Sequence, residues 1–446
     1  MSRVIAAMWA LAGVVWAPAA LAAPLSLDAA VSRALDRHPA LTAADRAGTA
    51  AHARTRQAKT AWLPRVNVDG AYRYQGPVPE LAIDTGLTLP GASEPLSITR
   101  EIGTAHVASL SVTAGWRALD FGARTARIAA AKAMERAAVA DGAERQADIA
   151  QAVRMAYLGV VFQDEVARVT QGALAVTRDG LARAEAGLAA GLASKVRVAS
   201  ARARAAELES RLVAATEGRE RVMATLRILL GLPPDAPLEL TDGFELFESL
   251  HPATPASTPT DARLAASGEA LSRQEQAVRR SALPTLDLYA TAGYQYPRTF
   301  VETDTAGFVW AAGVKLSWEA FDGTLRARQR DELAARRAEV EALRQAAAED
   351  TQRRVLDADA ALRTARAERA SAAIQVEAAQ TYLEAARGGE SGGTATALEV
   401  RQAEEGLDQA RLAEIKARFD AAVAASERLR ALGWAQADNA GEGSGR

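Results

Sequence analysis

The sequence predicts an α+β fold built as a tandem repeat, with four β-strands and long antiparallel coiled-coil helices in each chain. Three observations predict this fold class: two similar sets of strand-like segments, long heptad patterns rich in alanine, and a constant spacing between matching landmarks. The chain has 446 residues, of which only 5% are aromatic. Its abundant Ala, Glu, Arg and Leu favour long helices over a compact globular core.

Two distant segments begin with the same pattern. AWLPRVNVDGAYRY starts at Ala61 and SALPTLDLYATAGYQY starts at Ser281, and both place Leu-Pro before alternating apolar and polar residues. The pattern Trp-x-Ala-(Leu/Phe)-Asp then occurs at Trp116 and at Trp318, so the offset is 318 − 116 = 202. The same offset relates the glycine-containing stretches Gly191–Val198 and Gly393–Val400. The opening segments are 281 − 61 = 220 residues apart, so the first copy has a connection longer by 220 − 202 = 18 residues between its two strands. The constant offset beyond that connection indicates an internal duplication.

The N-terminus and the composition divide the chain into regions. A basic start at Arg3, an apolar run and a small-residue site at Ala20-Leu21-Ala22 are typical of a secretory signal peptide, with an uncleaved anchor helix as the alternative. Proline and threonine mark a linker between the copies. The predicted regions are a signal peptide (1–22), a first repeat (23–232), a linker (233–260), a second repeat (261–433) and a disordered tail (434–446).

Four segments show the period-two alternation of β-strands. They are Val66–Tyr74, Val107–Trp116, Leu286–Tyr296 and Phe308–Trp318. Aromatic residues near their ends suit a membrane–water interface, and these are Tyr72, Tyr74, Trp116, Tyr294, Tyr296, Trp310 and Trp318. Ordinary hairpins packed on a soluble core remain an alternative explanation. The stretch from Gln75 to His106 is rich in Pro, Gly, Thr and Ser, and is predicted to be a loop.

Heptad spacing predicts the helices. Apolar and small residues alternate at spacings of 4 and 3 from Ile149 to Leu188 and again from Val198 to Leu229, which indicates coiled-coil packing. The first long helix is predicted from Asp120 to about Gly187, and its copy from Asp322 to about Gly388. At ~1.5 Å per residue each would be roughly 100 Å long. Shorter helices are predicted at Thr42–Trp62, Val196–Leu229 and their copies.

Several functional classes find no support in the residues. The chain contains no cysteine, so it has neither a disulfide framework nor an acceptor for N-terminal lipid. Its four histidines are scattered and no nucleophile–base motif is visible, so we expect no metal, cofactor or enzymatic activity. A net charge of −2 gives no reason to expect nucleic-acid binding.

Four strands cannot close a membrane barrel. If the strands cross a membrane, two chains would be needed for an eight-stranded barrel and three for a twelve-stranded barrel.

These features together resemble the TolC-like outer-membrane efflux and secretion channel family. The resemblance covers essentially the whole mature chain. It rests on the tandem repeat, on Leu-Pro before the first strand of each repeat and on Trp-x-Ala-(Leu/Phe)-Asp at the end of the second strand. It implies an α+β membrane protein, a homotrimer in which each chain gives four transmembrane β-strands to a twelve-stranded barrel in the outer membrane. It also implies a helical periplasmic tunnel. It also implies partners, namely a periplasmic adaptor and an inner-membrane transporter, and a transport role without catalysis.

The resemblance further implies two kinds of functional residue. Family members present glycine-containing helix tips to the adaptor, and the matching residues here are Gly191, Leu192, Ala193, Ser194, Gly393, Thr394, Ala395 and Thr396. They also close the tunnel with acidic rings after the second tip, where Glu399 matches and Gln402 departs from the expected acid. Arg197 and Glu390 match a polar link that holds the entrance shut. Simple turns and a solvated Glu399 are the alternative interpretations.

The leading functional hypothesis is the exit duct of a tripartite efflux pump for small toxic compounds. The outer-membrane component of a type I protein secretion system is the nearest alternative within the same family. A periplasmic coiled-coil adaptor or scaffold without a barrel is the alternative from a different class.

Overall fold

The computed structural model describes residues 23–78, 80–87, 90–91, 97–101, 104–245, 257–299 and 305–434. The predicted signal peptide and, apart from Trp434, the predicted tail lie outside these residues. The helices are α1 (Leu27–Arg37), α2 (Pro39–Lys59), α3 (Ala123–Ala189), α4 (Lys195–Leu229), α5 (Pro259–Arg280), α6 (Leu325–Gly392) and α7 (Ala397–Ala431). The strands are β1 (Ala23–Leu25), β2 (Arg65–Tyr74), β3 (Glu80–Asp84), β4 (Ser97–Glu101), β5 (His106–Leu119), β6 (Leu238–Leu240), β7 (Thr285–Tyr296) and β8 (Gly307–Ser317).

The described residues form two compact units, and each unit takes segments from both predicted repeats. The first unit contains residues 23–45, 141–245, 257–260 and 347–434. Its main core packs α1 against α3, α4 and α7, with Tyr157, Leu158, Met223 and Leu226 fully buried. The Tyr157 hydroxyl donates to the Leu25 carbonyl at 3.1 Å, so this core also holds the parallel pair of β1 and β6.

Two smaller clusters hold the helical hairpins of the first unit together. Leu174, Ala205 and Leu208 pack α3 against α4. Leu383, Val400 and Leu407, with neighbouring alanines, pack α6 against α7. The predicted seam positions on α3 that are buried include Val153, Ala156, Val160, Leu174 and Ala184. The heptad prediction is therefore confirmed, because the seam residues are the ones removed from water.

The second unit contains the sheet. Its strands are ordered β2-β5-β7-β8, and every neighbouring pair is antiparallel. The four predicted strands are therefore confirmed, and their observed ends differ from the predicted ends by at most three residues. Among the described residues, β2 and β8 each have a strand neighbour on one side only, so these two edges of the sheet are unpaired there. The helix α5 and the adjoining parts of α2, α3 and α6 complete this unit.

The predicted helix ends differ from the observed ends by only a few residues. The long helices continue past Gly187 and Gly388 to Ala189 and Gly392, because glycine inside a packed helix costs only ~1 kcal/mol. The predicted helix at Thr42–Trp62 begins earlier, at Pro39, and is preceded by the separate helix α1. Proline lacks an N–H and suits the first helical position, so α2 starts there.

The predicted loop between Gln75 and His106 was also wrong in part. It contains β3 and β4, which pair antiparallel with Ile83 opposite Ile98. This insertion follows β2 directly, where the Gln75 N–H donates to the Ala105 carbonyl at 2.8 Å. Proline, glycine and threonine density concealed the pair because each strand has only five residues.

Among the described residues, no helix combines the length and apolarity needed to cross a membrane.

Candidate functional site

The first helix tip is a tight reversal between α3 and α4. Gly191 adopts a φ of 76°, a left-handed conformation that glycine enters without steric cost. The N–H groups of Leu192 and Ala193 both donate to the Gly187 carbonyl, at 2.7 and 3.1 Å. Ser194 caps α4 by accepting the Arg197 N–H at 3.2 Å. The Leu192 side chain is 87% exposed, so this ordered tip presents an apolar group to solvent.

The second tip repeats this geometry 202 residues later. Gly393 also has a φ of 76°, and the N–H groups of Thr394 and Ala395 donate to the Gly389 carbonyl at 2.8 and 3.1 Å. A Cβ at Gly389 would lie only 2.8 Å from the Ala395 methyl group, so this position requires glycine. Thr396 caps α7. Both predicted tips are thus tight reversals with the same backbone geometry. Their contact with an adaptor stays a prediction.

Glu399 has a structural task that was not among the predictions from the sequence. Its carboxylate accepts the Thr396 backbone N–H at 2.6 Å, while the Thr396 hydroxyl accepts the Glu399 N–H at 3.2 Å. This reciprocal pair is a capping box, which satisfies two otherwise unpaired donors at the start of α7. Both Glu399 and Gln402 are exposed in the single chain. A gate role for either residue stays a prediction.

Two ion pairs connect α4 of the first repeat with the helices of the second. Arg197 Nη2 lies 3.6 Å from Glu390 Oε1 on α6, and both side chains are largely exposed. The structure thus contains the predicted Arg197–Glu390 pair. Nearer the helix interior, Arg204 Nη2 lies 3.4 Å from Asp408 Oδ2 on α7, with these side chains only 14% and 18% exposed. Burial raises the pKa of Asp408 above its ordinary value, and Arg204 opposes that rise.

The sheet has one apolar face and one polar face. The strand register places the even-numbered residues of all four strands on one face, and they are Gly, Ala, Val, Leu, Phe, Tyr and Trp with His106 as the one exception. The odd-numbered residues form the other face, except Leu119, which a register shift in β5 pairs with Leu286 of the apolar face. This second face is rich in Ser, Thr, Gly and Ala and carries every lysine, arginine and aspartate of these strands. Thr113 and Thr291 face each other there, with 3.1 Å between their hydroxyls.

The predicted interface aromatics gather at the two ends of the apolar face. The end nearest the connecting loops contains Tyr72, Tyr74, Tyr294, Tyr296 and Trp310. Phe308 lies there too, although it was not among the predicted interface aromatics. There the Tyr72 hydroxyl lies 2.8 Å from His106 Nδ1. Trp116 lies at the opposite end, and Trp318 directly follows β8. The lipid contact expected of these rings stays a prediction.

A repeated set of contacts joins each long helix to the sheet. In the first copy, the Trp116 indole N–H donates to the Trp62 carbonyl at 2.9 Å. The Asp120 carboxylate accepts the Arg124 backbone N–H at 2.8 Å and caps α3. The buried Arg124 guanidinium donates to the Ala61 and Arg117 carbonyls, at 3.0 and 2.9 Å. It also lies 3.6 Å above the Trp62 ring, which adds a cation–π contact.

The second copy makes the same kinds of hydrogen bond at equivalent positions, but Ala282 replaces Trp62 there, so the cation–π contact is missing. The Trp318 indole N–H donates to the Ala282 carbonyl at 3.1 Å, and Asp322 caps α6 through the Arg326 N–H at 2.9 Å. That hydrogen bond is the main cause that lowers the pKa of Asp322 below its ordinary value. Arg326 donates to the Ser281 and Glu319 carbonyls, at 3.4 and 2.7 Å. We call each Trp–Asp–Arg set, with the carbonyls it binds, a junction.

The sequence contained an unused signal for the junction arginines. Arg124 and Arg326 are 326 − 124 = 202 residues apart, the offset that relates the tryptophans and aspartates. An arginine near the start of a polar helix resembles a solvated side chain, so its tertiary contacts were not predicted.

In the described ranges, no group of three or more His, Cys, Asp and Glu side chains is arranged to hold a metal ion.

The architecture resembles several solved outer-membrane proteins. VceC of Vibrio cholerae matches with 21% identity and a TM-score of 0.72, over 92% of this chain and 96% of VceC. The Neisseria gonorrhoeae MtrE channel in its open state matches with 17% identity and a TM-score of 0.70, over 92% and 89%. The Campylobacter jejuni CmeC channel matches with 14% identity and a TM-score of 0.71, over 91% and 85%.

These likenesses establish the fold, which is that of outer-membrane channel proteins with long helical hairpins. The sequence matches the model of the outer membrane efflux protein family over residues 30–232 and 260–433. The chain therefore belongs to the outer membrane efflux protein family, as its TolC-like features predicted. No curated protein matches it in sequence.

Proposed function

We propose that the protein is the exit duct of a tripartite efflux pump, which forms a trimeric channel through the outer membrane and passes small toxic compounds. The observation that carries this proposal is the two-faced sheet with unpaired edges on β2 and β8. A lipid-facing sheet needs an uncharged surface, and the apolar face carries no Lys, Arg, Asp or Glu. A sheet inside a bilayer also needs every edge paired.

Closure by three chains satisfies both requirements. If β8 of one subunit pairs with β2 of the next, three copies of the four-stranded sheet give twelve strands without a free edge. The polar face then lines the interior, where its Ser, Thr, Gly and Ala side chains leave room for solvent. The aromatic residues at the two ends of the apolar face then lie at the two membrane–water interfaces.

The helix tips supply a docking surface for a periplasmic adaptor. Leu192 and Val196 are 87% and 76% exposed on the first tip, while the second tip presents Thr394 and Thr396 in the same backbone geometry. Exposed apolar groups on an ordered turn suit contact with another protein. A photo-crosslinking residue placed at Ser194 or Thr396 would identify the adaptor, and through it the inner-membrane transporter.

Glu399 supplies the selectivity of the closed entrance in this proposal. Three copies around an axis would form an acidic ring that favours cations. We expect Glu399→Gln to remove the charge but keep the capping box, because glutamine also serves there. This variant should lose cation preference in a KCl gradient across a planar bilayer. Its free energy of unfolding should stay within ~0.5 kcal/mol of that of the original protein.

Two comparison variants separate the charge of Glu399 from its structural task. Glu399→Ala removes both and should lower the free energy of unfolding by ~1 kcal/mol through loss of the cap. Gln402→Ala, at an exposed position one turn further along α7, should change neither property. A Glu399→Gln channel with the original reversal potential would show that this residue has only its capping role.

Deletion of the gene tests the proposed function itself. Cells without the protein should accumulate a fluorescent efflux substrate such as ethidium, and the intact gene should restore export. Loss of a secreted protein from the medium, with ethidium export unchanged, would favour the type I secretion alternative. Recovery of the protein in the soluble periplasmic fraction would contradict both, because each requires insertion in the outer membrane.

A further inference from the structure

The charges on the polar face of the sheet are unevenly placed. Arg65 is the first residue of β2, Arg117 lies near the end of β5, and Lys315 lies near the end of β8. Asp287, on β7, is paired in register with both Arg117 and Lys315. All four are therefore at the end where the strands connect to helices, and we call them the basic belt. It contains three cations and one anion in each chain.

The single acid of the belt is already engaged. Arg117 Nε donates to Asp287 Oδ1 at 2.9 Å, so these two charges neutralise each other. Within the described part of the chain, Arg65 and Lys315 have no ion-pair partner, and both are exposed on the polar face. The other charges on this face are Asp69 and Arg73, which lie further along β2 and balance each other. The excess positive charge therefore belongs to the helix-connected end.

The proposed function converts this asymmetry into a ring. When three sheets close with the polar face inward, Arg65 and Lys315 are repeated three times around the interior. A ring of fixed charges inside a pore attracts ions of the opposite sign, and low-dielectric walls strengthen that attraction. The neighbouring row carries Tyr289, whose ring lies close over Gly313 and offers an aromatic surface beside the cations.

We infer that the basic belt binds organic anions, so that acidic compounds such as carboxylates and sulfonates are favoured cargo at this level of the pore. The inference rests on the proposed function, because it requires the polar face to line a closed barrel. It concerns the sheet alone, and a negative ring at Glu399 would act at a separate position. The test must therefore probe the barrel without requiring passage of the whole tunnel.

Block of single channels by pyrenetetrasulfonate provides that test. The tetra-anion is added to a planar bilayer on the side of the strand-connecting loops, in ~0.1 M KCl, where charges interact over ~10 Å. We expect it to block the current, and we expect the double variant Arg65→Gln and Lys315→Gln to weaken block about tenfold, because two cations are removed from each subunit. The tetracation spermine should not block through the belt, and block should weaken in ~1 M KCl.

Arg73→Gln is the matched control, since it removes one cation from the polar face near the loop end of β2. Block of this variant should stay within about twofold of the original. Channels of normal conductance that pyrenetetrasulfonate does not block, or blocks equally in the double variant, would overturn the belt proposal and leave the proposed function intact. Failure of the original protein to form any channel would instead contradict the proposed function.

Discussion

Replacing Arg124 with methionine is expected to lower the free energy of unfolding by about 3 kcal/mol. The guanidinium is 4% exposed and bonds two carbonyls, so its removal leaves those acceptors without their partner. The neighbouring Asp120 carboxylate, 9% exposed, then loses the nearest cation, which lies 3.7 Å away. Breaking one side of a buried ion pair is costly because the remaining charge has no solvent to replace it.

The unfolding midpoint of the detergent-purified protein measures this effect. Arg127→Met is the matched control, since Arg127 lies one turn further along α3 and is exposed. Arg326→Met, in the second junction, should destabilise less, because Arg326 and Asp322 are 17% and 11% exposed. If Arg124→Met and Arg127→Met lowered the midpoint equally, the junction would not fasten α3 to the sheet as we describe.

The Arg204–Asp408 pair should respond very differently to loss of either partner. Arg204→Met leaves a half-buried carboxylate without its cation and should cost about 2 kcal/mol. Asp408→Asn should cost less than ~1 kcal/mol, because it also removes the penalty of burying the carboxylate and Arg204 keeps Glu207 at 3.0 Å.

Arg197→Ala, which breaks the exposed Arg197–Glu390 pair, should lower the free energy of unfolding by no more than ~1 kcal/mol.

Acid should partly rescue Arg204→Met. The folded pKa of Asp408 is raised, so the stability this group contributes is fully present below its ordinary pKa of 3.8 and is lost as pH rises through the folded pKa. Without Arg204 that pKa rises further, and protonation removes the unpaired charge at a higher pH. The difference in unfolding midpoint between the variant and the original should therefore shrink as pH falls from about 7 towards 4.5. A difference independent of pH would contradict this explanation.

Local periodicity carried the parts of the fold that could be predicted. The alternation of Val66 and Val68 with Asn67 and Asp69 correctly indicated a two-faced strand, because the side-chain period of a strand is fixed at two. Heptad spacing likewise located the seam of α3, since a 3.5-residue repeat keeps the same face of a helix towards its partner. The offset of 202 located both tips, which make equivalent hydrogen bonds to the Gly187 and Gly389 carbonyls.

The remaining parts depended on contacts that no local pattern encodes. The pairing of β3 with β4 requires two five-residue strands to meet across a segment rich in loop-forming residues. The burial of Arg124 depends on Trp62, which is distant in sequence. Arg204 and Asp408 meet only because particular faces of α4 and α7 come together. The capping box of Thr396 and Glu399 does have a local signature, Thr-x-x-Glu, although no capping role was predicted from it.

Closure of the sheet between subunits is the central claim, and the cysteine-free chain allows a direct measurement. One cysteine replaces Asn67 on β2, and a second replaces Val309, Ala311 or Gly313 on the same face of β8. Within one chain β5 and β7 separate these strands, so at ~4.8 Å per strand they are too far apart for a disulfide. Oxidation in the membrane should give a disulfide-linked trimer on a non-reducing gel for at least one pair. Monomers for every pair, or a ladder extending beyond trimers, would contradict the closed three-subunit barrel.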